Sequence, residues 1–169
     1  MKCTDFGLLR DDGKGTSHHL FLIEADSSSD LQAWPQLPSE HFISMIVWDA
    51  PSSREDVLAV ARTILDAGAI HICAFGEGCE RVHDTFDEVI ATSDPESDDD
   101  HAILTTWHSS ETLDEALWHA LFTAFPAPAF AATTRTTVVI AVDAARYAGA
   151  LRDTLADPRA FHDRVLEQA

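Results

Sequence analysis

Cys79 and His83 stand four residues apart in a stretch, Gly78 to Ala91, whose Val82, Phe86, Val89 and Ile90 recur at helical spacing. A thiol in the first turn of a helix has its pKa lowered by the helix dipole, and a histidine one turn on is the minimum partner for nucleophilic thiol chemistry. The same residues support a plainer assignment. Cys79 falls on the inward stripe with Val82, Phe86 and Val89, while Glu77, Glu80 and Asp84 raise a thiol pKa rather than lower it, so a buried structural cysteine is favoured.

A second set of candidates comes from the ends of the apolar runs. Asp49, the turn Gly76-Glu77-Gly78-Cys79, His108 and Asp143 each follow such a run. In open α/β sheets ligands bind beyond the carboxyl ends of the strands, so these four ends are where an acid, a base and backbone N–H donors would meet. Asp49 and Asp143 are equally good as turn caps, and the two glycines as the backbone freedom of a tight turn.

A zinc site can be assembled on paper from Cys73, Cys79, His83 and His108, but paired ligands such as CxxC or HExxH are absent. Nine histidines in 169 residues also make accidental combinations unavoidable. We therefore assign no metal and no cofactor from the sequence. GxGxxG, GxxxxGK[ST] and GxSxG are absent too, and Glu77 in the Gly76–Gly78 turn would repel a phosphate.

The elements that must position these residues follow from periodicity. Apolar runs at His19–Ala25, Phe42–Trp48, Ala69–Phe75, Ala102–Trp107 and Thr137–Val142 alternate with helical patterns. This predicts one three-layer α/β domain over 18–169, Rossmann-like or flavodoxin-like, with a mostly parallel five-stranded sheet flanked by helices. The second and fifth runs are nearly continuous in apolar residues and belong at the centre.

Helices are expected after a serine N-cap in Ser52-Ser53 up to Gly68, from Gly78 to Ala91, from an N-cap at Ser110 to Phe125, and through Tyr147, Leu151 and Leu155 with a restart after Pro158. Residues 1–17, rich in turn formers and without a sustained period, are expected to be irregular and to add little core.

The third helix carries more apolar surface than one sheet face needs. Leu113, Ala116, Leu117, Ala120, Leu121 and Ala124 make one stripe, and Trp118, Phe122 and Phe125 an aromatic edge beside it. Either the Pro/Ala/Phe linker 125–132, with Phe130, folds back over that edge, or the edge binds a partner.

Charge narrows the partner. Eleven basic against twenty-nine acidic residues leave a net charge of −18, which argues against nucleic acid. Residues 51–134 hold sixteen acids against Arg54, Arg62 and Arg81, and Asp98, Asp99 and Asp100 close the most acidic run. No apolar stretch approaches the ~20 residues of a bilayer span and no signal-peptide pattern opens the chain, so a cytoplasmic protein without a membrane partner is expected. Three cysteines without a CxxC spacing fit reduced thiols. Arginine far exceeds lysine, whose only positions are Lys2 and Lys14, and alanine is abundant, as in high-GC bacterial coding sequences.

The run Cys79-Glu80-Arg81-Val82-His83-Asp84, with Thr105-Thr106-Trp107-His108 and Glu115-Ala116-Leu117-Trp118, resembles a group of small bacterial α/β proteins without an assigned function. The resemblance spans the middle of the chain, implies a single-domain bacterial protein, and carries over no catalytic residue or substrate.

Together these features lead to a non-catalytic binding or accessory protein of immunity or regulatory type. It would attract a basic protein partner with its acidic middle and hold it with Trp118, Phe122, Phe125 and Phe130. Homo-oligomerisation is left open. The alternative is a small hydrolase- or transferase-type enzyme using Cys79 or Asp49, with His83 or His108 as acid/base and Asp143 nearby.

Overall fold

Every residue from Phe42 to Trp48 and from Thr136 to Val142 is buried, which requires both strands to be covered on two faces. The structure, a computed structural model, describes residues 1–11, 17–51, 53–93 and 98–168. Its strands are β1 (Lys2–Asp11), β2 (Ser17–Ala25), β3 (His41–Trp48), β4 (Ala69–Phe75), β5 (Leu104–Trp107) and β6 (Thr134–Val142), in the sheet order β1-β2-β6-β3-β4-β5. The central pair β6 and β3 is the pair with the most continuous apolar runs. All neighbours are parallel except β1 and β2.

Helices α1 (Arg54–Asp66) and α2 (Cys79–Ser93) cover one face, against Phe21, Phe42, Ile46, Ile72 and Ile140. Helices α3 (Leu113–Trp118), α4 (Ala145–Ala156) and α5 (Pro158–Gln168) cover the other, against Leu20, Ile43, Met45, Cys73 and Val139. The domain is therefore the expected three-layer α/β sandwich, with six strands among the described residues rather than five.

The added strand corrects the expectation of an irregular start over Lys2–Asp11, while residues 12–16 lie outside the described residues. β1 is held by antiparallel pairing with β2, and the register shifts between Asp5 and Gly7 and between Leu8 and Arg10. Two bulges erase the alternation of side chains that would mark a strand in the sequence. Leu9 nevertheless reaches the core at 4% exposure.

Two helix boundaries also differ, both in α3. α3 is capped by Thr112 rather than Ser110, in a capping box where the Thr112 side chain accepts the Glu115 N–H and the Glu115 carboxylate accepts the Thr112 N–H. α3 does not run on to Phe125. It passes at His119–Thr123 into a π-helical turn, closed by the Ala124 N–H on the His119 carbonyl. The expected restart is present, at Pro158 itself, which starts α5 with a new first turn after Asp157.

Candidate functional site

The strand-end candidates are each engaged in separate contacts. Asp49, after β3, forms an ion pair with Arg146 in the first turn of α4, which follows β6. Arg146 also lies over the Tyr147 ring, 4.6 Å from its centroid. Asp143 has a left-handed backbone, φ 45°, and lines a separate depression with Glu24, Asp26 and Arg152, reached by none of the other three candidates. Gly76 is forced to be glycine: a Cβ there would lie 2.0 Å from the Trp48 carbonyl oxygen.

Cys79 and His83 do not form a dyad. Cys79 is buried in the core under α1 and α2, and burial, the largest influence, pushes its thiol pKa up, against hydrogen bonding to the backbone of His108 and Glu80. His83 turns its ring nitrogens elsewhere: Nδ1 is 3.1 Å from Asp84, and Nε2 lies 3.1 Å from the Thr105 hydroxyl and 3.5 Å from Asp87. Its ring meets exposed Trp107 edge-on at 4.5 Å.

The four paper ligands for zinc are likewise divided. Cys73 belongs to the core under α3, and Cys79 to the core on the opposite face of the sheet. The structure instead brings Cys73 together with two histidines that the sequence reading did not single out. One donor nitrogen of His71, one of His119 and the Cys73 sulfur all lie within 4.8 Å of one another. His71 and Cys73 alternate on β4 and so share a face, while His119 comes from the π-helical turn above them. The His71-x-Cys73 alternation was the available signal; nothing local connects it to residue 119.

Around this trio the polar groups form a connected seam. His71 Nδ1 donates to the Phe125 carbonyl at 2.8 Å. The Thr123 hydroxyl donates to the His119 carbonyl at 3.0 Å, so at 2.8 Å it accepts from His119 Nδ1. Both tautomers are thereby set with the proton on Nδ1, and Nε2 of each ring is buried without a hydrogen-bond partner. A bare buried acceptor of this kind costs about 1–3 kcal/mol.

His108, 6% exposed, packs against His119 with the rings tilted at 53° and 4.9 Å between centroids. Both of its nitrogens are engaged, Nδ1 with Glu111 at 2.6 Å and Nε2 with the Thr106 hydroxyl at 3.1 Å. Burial lowers the pKa of His71 and of His119, and the neighbouring histidines add to the effect. Burial pushes the Cys73 thiol up to about 12 despite a hydrogen bond from Thr106. At neutral pH the trio is thus two neutral imidazoles and a thiol.

The aromatic edge of α3 is covered, though not by the linker. Trp118 and Phe122 pack on Phe161 and His162 of α5. Phe125 remains 66% exposed. Phe130 folds to the amino ends of the strands, against His41 at 4.8 Å and His101 at 6.3 Å.

There Phe130 lines a cavity of about 690 Å³ together with Leu65, Val89, Ile90 and Ile103, and with Arg62, Asp66, Asp98, Asp99 and His101. Asp98 caps the short 3-10 turn Asp99–His101 by accepting the His101 N–H, and His101 Nδ1 lies 2.7 Å from the same carboxylate. Residues 94–97 of the acidic run lie outside the described residues. No helix among the described residues is long and apolar enough to cross a membrane.

Comparison with curated proteins gives no match. Among solved structures the chain is similar to the UDP-N-acetylmuramate-alanine ligase MurC from Thermotoga maritima, with a TM-score of 0.42 and 9% identity over 88% of this chain and 30% of that one. The chain thus spans less than a third of that ligase's length. Residues 20–158 match the family described as "Domain of unknown function (DUF7684)", and the chain belongs to that family.

Proposed function

For a member of a family so described, we propose a bacterial, cytoplasmic accessory protein with no catalytic role, which holds a basic protein partner in the groove at the amino ends of the strands. The groove itself carries the reading. Its apolar lining of Leu65, Val89, Ile90, Ile103 and Phe130 sits beside the carboxylates Asp66, Asp98 and Asp99. α1 ends at Asp66 and α2 at Ser93, so both helices direct the negative ends of their dipoles to this place. Such a site suits the long apolar stem and cationic head of arginine or lysine.

The rest of the molecule supports this choice. Trp118 and Phe122 are occupied by α5, which leaves Phe130 as the aromatic of the original four that lines an acidic cavity. Cys3, Cys73 and Cys79 are free thiols, as suits a reducing compartment. The overall charge of −18 would speed encounter with a basic partner.

The test is capture from the native host on immobilised protein, followed by binding kinetics with the purified partner. A basic protein should be retained at low salt, and Asp66→Asn combined with Asp99→Asn should lower its association rate about tenfold at low ionic strength. Retention indifferent to salt and to both substitutions would remove the groove from the interaction.

A further inference from the structure

We propose that His71, Cys73 and His119 form a transition-metal site of zinc class, with two imidazole Nε2 atoms and one thiolate as ligands. The proposal is independent of the partner groove, which lies on the other face of the sheet among α1, α2 and the linker.

Three features of the geometry point to a metal ion rather than to ordinary packing. One nitrogen of each ring and the Cys73 sulfur already lie within 4.8 Å of one another. Zinc bonds of about 2.0–2.1 Å to nitrogen and 2.3 Å to sulfur put donors of one tetrahedron about 3.5 Å apart, so adjustments of about 1 Å close the trio on an ion. The unsatisfied atoms are the right ones: the Nε2 lone pairs of His71 and His119 are buried and bare. Each ring's other nitrogen is held by an oxygen, the Phe125 carbonyl for His71 and the Thr123 hydroxyl for His119. This is the outer-shell arrangement that fixes ligand tautomers in metal proteins.

The backbone also departs from regularity where the third ligand enters. His119 opens the π-helical turn at the end of α3, and π-helical turns are frequent at functional sites. His108 is not a fourth ligand, because Glu111 and Thr106 occupy its nitrogens. Its tilted contact with the His119 ring, with Glu111 behind it, instead braces the ligand and brings a carboxylate to the side of the added cation. Three protein ligands leave the fourth tetrahedral position to water or another small donor. On binding, two metal–nitrogen bonds and one metal–sulfur bond form, the Cys73 S–H bond breaks, and its proton passes to solvent. No electron is transferred.

Cobalt(II) is the probe, since it reports ligand type by its colour. Chelator-treated full-length protein should take up one equivalent of cobalt with visible bands of a tetrahedral ion and a near-ultraviolet thiolate-to-cobalt band, both lost on adding zinc. Cys73→Ser should abolish the thiolate band, whereas Cys3→Ser should leave it unchanged. Thr123→Val, at an exposed position outside the ligand set, should weaken cobalt binding about 10–100-fold with the fold intact by circular dichroism, and Thr123→Ser should restore it. Absence of the thiolate band in the folded wild-type protein, or its persistence in Cys73→Ser, overturns the proposal. Unchanged affinity in Thr123→Val overturns the role of Thr123 in positioning His119.

Discussion

The Trp118 indole N–H donates to His162 Nδ1 at 3.1 Å, with the two rings stacked at 16° between planes. This contact ties α3 to α5 and converts an aromatic edge that could have served a partner into part of the core. It also sets the His162 tautomer, since an accepting Nδ1 leaves the proton on Nε2.

Trp118→Phe should therefore cost about 1 kcal/mol, the net worth of the hydrogen bond, and Trp118→Ala about 2–3 kcal/mol through loss of packing on a half-buried ring. Urea denaturation of both variants measures these losses. Binding of a basic partner in the groove should be unaffected in either variant once folded; a selective loss of partner affinity would return Trp118 to the binding surface.

Gly76→Ala should destabilise by about 3 kcal/mol or more. The residue has φ 117°, where side chains are strained, and its added Cβ would strike the Trp48 carbonyl at 2.0 Å. Thermal unfolding detects the loss, and a shift within error of wild type would contradict the close approach of β3 to the turn after β4.

His18 makes stability depend on pH. It is 7% exposed and hydrogen-bonded to the Thr137 hydroxyl at 2.8 Å, and burial, with Arg10, Arg135 and His19 nearby, lowers its pKa to about 4. The unfolded chain binds this proton near pH 6.5 and the folded chain only near 4, so the unfolded state holds more protons between these values. The stabilisation from neutral His18 is complete above pH ~6.5 and is lost as pH falls toward 4, by about 3 kcal/mol. His71 and His119, also lowered, act with the same sign. Comparing urea midpoints at pH 7 and pH 5 should show a drop in the wild type and a smaller drop in His18→Gln; equal drops would exclude His18 as a source.

Asp49→Asn should change stability by less than about 1 kcal/mol, because the pair with Arg146 is partly exposed, the arginine side chain at 55% and the aspartate at 29%. Calorimetry of the variant at low and high salt tests this. A loss several times larger would mean that the pair supports the ends of β3 and α4 rather than only bridging them.

Much of the fold was legible because its signals are local. Continuous apolar runs marked β3 and β6 as central, Gly68 and Ser53 bounded α1, and Ala69–Phe75 coincides with β4. Hydrophobic periodicity depends on a residue and its near neighbours, so it survives in a bare sequence. Lys2–Asp11 left no such signal, since a bulged edge strand is held by backbone hydrogen bonds to β2 and hardly by its side-chain pattern.

What surrounds the candidate sites was decided by tertiary structure. Cys73 and Cys79, six residues apart, end on opposite faces of the sheet, while His119 comes beside His71 from 48 positions away. Strand parity placed Cys73 on the α3 face, but only the path of the chain through β5 and α3, and the extra residue in the turn at His119–Thr123, brought the second imidazole over it. Residue types thus determined which chemistry the chain could offer. The packing of α3 and α5 on the sheet determined which of those groups meet and which stay covered, because convergence depends on the placement of whole elements and not on any local period.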